Sequence, residues 1–118
     1  MRTLVFGASL KPNRYSNLAI HRLVQNQIET EAYGLREGTI NGVHVKTHLL
    51  DFKDIHTVTL YVGAKNQPAY YNAIIGLNPK RVIFNPGTEN PEFYALLQDK
   101  GIAVEVACTL VLLATGQF

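Results

Sequence analysis

The chain has 118 residues, 47% of them apolar, and a net charge of +2 with the two signs interspersed. That length suits one compact domain over residues 1–118 with a sizeable core, and the sparse mixed charge excludes the dense basic stripe that grips nucleic acid. Cys108 is the sole cysteine, which excludes an internal disulfide framework and a CxxC metal or redox site.

Five short apolar runs rich in β-branched and aromatic residues read as strands: Thr3–Phe6, Glu31–Leu35, Thr57–Val62, Arg81–Asn85 and Ala103–Ala107. Continuous runs such as Val82-Ile83-Phe84 suit strands covered on both faces, as in a parallel sheet. Amphipathic stretches alternate with them. Ser16–Gln27 spaces Leu18, Ala19, Leu23 and Val24 on one helical face, with Ser16 or Asn17 as N-cap. Pro68–Leu77 and Pro91–Lys100 each open on a proline, and Gly101 stands where a C-cap belongs. Thr109–Ala114 reads as a last helix. Arg36–His56 gives no single pattern: GTINGVHV indicates turns around a short extended piece, and THLLDFKDI one or two helical turns. The expected fold is therefore α/β, a three-layer Rossmann-like arrangement around a five-stranded parallel sheet.

No stretch approaches the roughly 20 apolar residues of a membrane span, and Leu4–Phe6 is too short for the apolar region of a signal peptide. A soluble cytoplasmic protein without membrane contact is expected. The apolar tail LVLLATGQF fits packing within the fold or against a partner, whether a second copy or another protein.

In an open parallel sheet, ligands bind at the carboxyl ends of the strands, where strand order reverses. The first such loop is Gly7-Ala8-Ser9-Leu10-Lys11-Pro12-Asn13-Arg14-Tyr15-Ser16. It lacks the GxGxxG dinucleotide fingerprint, but it carries the parts of an anion site: a glycine, a hydroxyl, a helix start and two cations. Spacing alone equally describes a strand-to-helix turn with two solvated cations. Gly34-Leu35-Arg36 follows the second strand, where an NAD enzyme places an acid for the ribose. An arginine there favours a ribose phosphate, as in NADP or coenzyme A, or else pairs with Glu37 or Glu31 on the surface. Tyr61-Val62-Gly63 ends the third strand, and Asn85-Pro86-Gly87-Thr88 runs from the fourth into a helix.

Catalytic patterns are sparse. His21, His44, His48 and His56 have no metal-ligand spacing, and no nucleophile elbow or P-loop is present. Cys108 follows an apolar strand and reads as a buried inert thiol, with a thiol catalyst as the alternative.

GAS-x-KP-x-R-YS after the first strand, NPGTENPE after the fourth and the closing ACTLVLLATGQ together resemble the small stand-alone CoA-binding domain family, related to the CoA-binding domain of the succinyl-CoA synthetase alpha subunit. The resemblance covers nearly the whole chain. It implies a small-molecule nucleotide ligand, coenzyme A or an acyl-CoA, with Gly7, Ala8 and Ser9 beneath the pyrophosphate and Lys11, Pro12, Arg14, Tyr15 and Ser16 around it. Gly34, Leu35 and Arg36 would hold the ribose phosphate or adenine. Tyr61, Val62 and Gly63 would contact adenine or the pantetheine arm, and Asn85, Pro86, Gly87 and Thr88 would close the far side. Relatives commonly carry Pro-Lys after the second strand, where this chain has Gly-Leu-Arg-Glu. It also implies a binder or sensor without catalytic machinery of its own; the alternative is a small NADP-binding or thiol-dependent enzyme using Cys108.

Overall fold

A computed structural model describes residues 1–118. Seven strands form one sheet: β1 (Thr3–Ala8), β2 (Thr30–Gly34), β3 (Gly38–Ile40), β4 (Val43–Lys46), β5 (Thr57–Leu60), β6 (Arg81–Phe84) and β7 (Ala103–Val106). Their order is β3-β4-β2-β1-β5-β6-β7. Six run parallel, and β3 alone is antiparallel, to β4. The connecting helices are α1 (Tyr15–Gln25), α2 (Tyr71–Gly76), α3 (Pro91–Asp99) and α4 (Thr109–Ala114).

Two apolar layers hold the sheet from either side. Leu4, Phe6, Val58, Leu60, Val82 and Phe84 meet Ile74 of α2 and Phe93 and Leu97 of α3. Val5, Ala32 and Val45 meet Ile20 and Leu23 of α1, with Leu113 of α4 and Phe118 packed against them. Successive strand side chains point to opposite faces, so both faces must be covered, and this accounts for the unbroken apolar runs in β1 and β6. Of the tail LVLLATGQF, Leu112 is buried and Leu113 and Phe118 pack within the fold, while Val111 is exposed. Phe118 also lies under the Arg81 guanidinium at 4.6 Å from the ring centre. No helix is long and apolar enough to cross a membrane.

The α/β class is as expected, but the sheet has seven strands rather than five and is not wholly parallel. The two additional strands fall in Arg36–His56, where Asn41 and Gly42, both at positive φ, turn β3 into β4. Three- and four-residue strands carry too short a periodicity to announce themselves, and β4 joins β2 through only two register pairs, Ala32 with Val45 and Tyr33 with Lys46. Of the one or two helical turns expected in THLLDFKDI, one forms, a 3-10 turn over Leu49–Asp51.

The start of α1 also differs. Arg14, extended at ψ 144°, is the N-cap, and no side chain caps the helix. Ser16 and Asn17 lie in the first turn and are buried, their polar atoms turned to Ser9.

Candidate functional site

The chain steps from β1 outward to β2 and β4, then returns to the other side of β1 as β5. Strand order therefore reverses between β1 and β5, and outside the carboxyl ends of strands at such a reversal open α/β sheets have the crevice that holds ligands. Gly7 stands at that place. Its φ of +98° is a left-handed conformation that favours glycine, and a Cβ there would stand 3.1 Å from Val62 Cγ2 and 3.2 Å from the Tyr61 carbonyl carbon. The loops after β1 and β5 can approach this closely because Gly7 has no side chain.

From Gly7 the chain runs into the Ser9–Arg14 loop, which is pinned to α1. Ser9 N–H donates to Ser16 Oγ (3.2 Å), Asn17 Nδ2 donates to the Ser9 carbonyl (2.9 Å), and Lys11 N–H donates to Ser9 Oγ (3.2 Å). The loop's side chains from Leu10 to Tyr15 are exposed, Pro12 among them. The N-terminal end of α1 thus faces the loop with no capping side chain and no acid in its first turn, and the positive end of its dipole is uncompensated. The ion pairs of the fold are Arg2–Glu29, Lys46–Glu31 and Arg81–Glu105, and the His44 imidazole contacts Glu37. Lys11 and Arg14 take part in none of them.

At the end of β2, Gly34 is buried and pairs with Ala8 across an irregular step in the ladder. Leu35 and Arg36 beyond it are exposed. Glu37 and Glu31, the acids open to Arg36 by sequence, pair with His44 (3.4 Å) and Lys46 (3.6 Å) instead. The Arg36 guanidinium is left without a carboxylate.

The loops after β5 and β6 are tied together from inside. Gln67, completely buried, donates to the carbonyls of Val62 (2.8 Å) and Thr88 (2.7 Å) and accepts from Asn90 Nδ2 (2.9 Å). Asn85, 2% exposed, donates to Thr59 Oγ1 (2.8 Å) and the Leu60 carbonyl (3.0 Å), and its own side-chain oxygen accepts the Thr109 N–H (2.8 Å). Thr88 Oγ1 returns to the Asn85 carbonyl (2.7 Å). Of the candidate residues here, Gly63, Pro86 and Gly87 are exposed, whereas Asn85 and Thr88 turn their side chains inward. Gln67, Thr59 and Thr109 were missed by sequence reasoning, and Asn17 was read only as an N-cap, because a polar residue in a turn, a strand or a helix start carries no sign of the buried partner it will meet.

Tyr61 turns the same way. Its hydroxyl is buried without a hydrogen-bond partner. Burial pushes the phenol up to about 12, while the nearby Thr59 and Thr109 hydroxyls draw it back and the Cys108 thiol adds to the rise. Those two hydroxyls bond to each other at 2.7 Å, and neither has hydrogen-bonding geometry to the phenol. The phenolate is the charged form, so the contribution is fully present below pH 10 and is lost as pH rises from 10 towards 12. That loss amounts to about 2–3 kcal/mol. Tyr61→Phe is expected to leave the neutral-pH melting temperature unchanged or slightly raised and to flatten its alkaline fall, measured by thermal melts between pH 7 and 11.5. An equally steep fall in the variant would show that Tyr61 is not its source.

Cys108 precedes α4 and is half-buried.

A family model described as CoA binding domain matches residues 1–114. The crystal structure of an uncharacterized protein is 42% identical to the chain, with a TM-score of 0.95 over 99% of this chain and 97% of that one. A Thermus thermophilus protein at 21% identity reaches 0.87 over 99% and 90%, and a hypothetical protein from Pyrococcus horikoshii at 26% identity reaches 0.82 over 92% and 78%. No curated protein matches. The match to residues 1–114 takes in all seven strands, the carboxyl ends of β1 and β5 and the basic loop, and the chain belongs to the CoA binding domain family.

Proposed function

We propose that residues 1–118 act as one unit that binds coenzyme A or an acyl-CoA at the β1–β5 crevice, as a binder or sensor without catalytic machinery of its own. The observation that carries this reading is the uncapped N-terminal end of α1, with no acid in its first turn and two unpaired cations beside it. A pyrophosphate supplies the charge this arrangement lacks. Gly7 supports the reading by bringing the loops after β1 and β5 together: its missing side chain lets Val62 and Tyr61 close against the backbone where the anion-binding loop begins.

Gly7, Ala8 and Ser9 would underlie the pyrophosphate, with Lys11 and Arg14 on its flanks and Pro12 and Tyr15 at the rim. Arg36, beside Gly34 and Leu35, would take the ribose phosphate. Val62 and Gly63 would border the adenine or pantetheine, and Pro86 and Gly87 the far wall. Ser16, Tyr61, Asn85 and Thr88 turn their polar atoms inward and would serve by holding the loops. Each charge-assisted contact contributes about 1.5–3 kcal/mol, so two or three of them sum to about 3–9 kcal/mol, which spans the values of about 4 kcal/mol for millimolar and about 8 kcal/mol for micromolar binding.

Calorimetry tests the assignment: Arg14→Ala is expected to weaken CoA binding at least tenfold with an unchanged melting temperature, and unaltered affinity would sink it. CoA at 100-fold over its dissociation constant should stabilise the fold by about 2.7 kcal/mol. The same shift with NADP in place of CoA would favour the dinucleotide alternative.

A further inference from the structure

We propose that the β3–β4 hairpin sets the position of the Ser9–Arg14 loop through the seating of Leu10 on Gly38, which makes Leu10 and Gly38 positioning residues for the anion site. This rests on the CoA reading for the identity of the ligand, but not for the mechanical link itself.

A Cβ added at Gly38 would lie 2.6 and 2.8 Å from the two Cδ atoms of Leu10 and 3.3 Å from its Cγ. Leu10, 40% exposed, therefore uses the missing side chain of Gly38 as its seat. Gly38 pairs with Val45 across the hairpin, and Val45 pairs with Ala32 of β2 while packing in the α1 layer. The seat is thus fixed to the sheet. On the loop side, Leu10 stands between Ser9, anchored to α1 by Ser16 and Asn17, and Lys11, one of the two unpaired cations. Lys11 N–H donates to Ser9 Oγ and Arg14 N–H to the Lys11 carbonyl. A Cβ at Gly38 turns the Leu10 side chain off this seat, and the Ser9–Arg14 loop then loses that hold on the hairpin, leaving the bonds of Lys11 N–H and Arg14 N–H to position it. The backbone at Gly38 lies outside the left-handed region, and the three atoms nearest a Cβ there all belong to the Leu10 side chain.

A double-mutant cycle isolates the link. Leu10→Ala and Gly38→Ala are each expected to weaken CoA binding at least fivefold in calorimetry. Gly38→Ala should have no further effect once Leu10 is alanine, because a Cβ at position 38 then has nothing to displace. Multiplying effects in the double variant, or two single variants that bind CoA like the wild type while melting lower, would overturn the proposal and leave the contact as packing alone. Leu10→Val repeats the test with a smaller loss of packing. A second readout needs no ligand: Gly38→Ala should move the amide chemical shifts of Ser9, Lys11 and Arg14, the donors of the three loop bonds. If the wild type binds no CoA, the ligand assignment fails, yet these shifts still decide the mechanical link. Unmoved shifts would refute it.

Discussion

Gly34→Ala should lower the melting temperature by about 10 °C, a loss of about 3 kcal/mol. A Cβ on Gly34 would sit 2.4 Å from the Ala8 carbonyl oxygen and 3.0 Å from Val45 Cγ1. A flexible side chain could swing away from the intruder, but the Ala8 carbonyl belongs to the backbone at the irregular end of the β1–β2 ladder. Relief therefore requires the end of β1 or of β2 to move, and the end of β1 leads directly into the Ser9 loop. Gly63→Ala is the matched control. Gly63 has φ −60° and open space around its Cβ direction, so alanine there should be neutral or stabilise by a few tenths of a kcal/mol to about 1 kcal/mol. Thermal unfolding followed by circular dichroism decides the matter. A Gly34→Ala protein that melts with the wild type would show that the two strand ends are not in the contact described.

Asn85 offers an effect of similar size from a different cause. Asn85→Leu keeps the bulk of the side chain but removes partners from the Thr109 N–H and the Leu60 carbonyl, both joined to it in the interior. Unsatisfied buried groups cost about 1–3 kcal/mol each, so a loss of about 2–4 kcal/mol is expected. Asn85→Asp sharpens the test. The carboxylate still accepts from Thr109 N–H but faces the Leu60 carbonyl without a proton to donate, so burial would raise its pKa. A raised carboxyl pKa removes stability as pH rises through the unfolded value and beyond. The aspartate variant should consequently be weakest at neutral pH and recover part of the loss near pH 4, whereas the leucine variant should not recover relative to the wild type. Denaturant titrations at the two pH values distinguish them, and parallel pH behaviour of the two variants would argue against the Leu60 contact.

Five of the six parallel strands and the helices were legible because both depend on local properties. Strands covered on both faces read as continuous apolar runs, and Pro91 and Gly101 mark the ends of α3 whatever surrounds them. The β3–β4 hairpin was not, because Ile40 and Val45 are its only buried apolar residues and the pairing of Val45 with Ala32 joins residues distant in sequence. Within the candidate site, the fold class alone pointed to the strand-end loops. Which way a side chain turns within a loop depends on partners elsewhere: Asn85 and Thr88 looked like loop polarity in the sequence, yet they bond inward. The seat of Leu10 on Gly38 was equally invisible, since a glycine opening a short strand has no signature of what leans on it.

Gln67 bears on the kinetics of recognition. With both amide hydrogens on the carbonyls of two different loops and its oxygen on Asn90, it fixes the rim of the crevice as part of folding. A ligand arriving there would not have to order those loops, so little conformational entropy would be lost on association. Affinity differences among the ligands proposed for that crevice would then lie in how fast each one leaves rather than in how fast it enters.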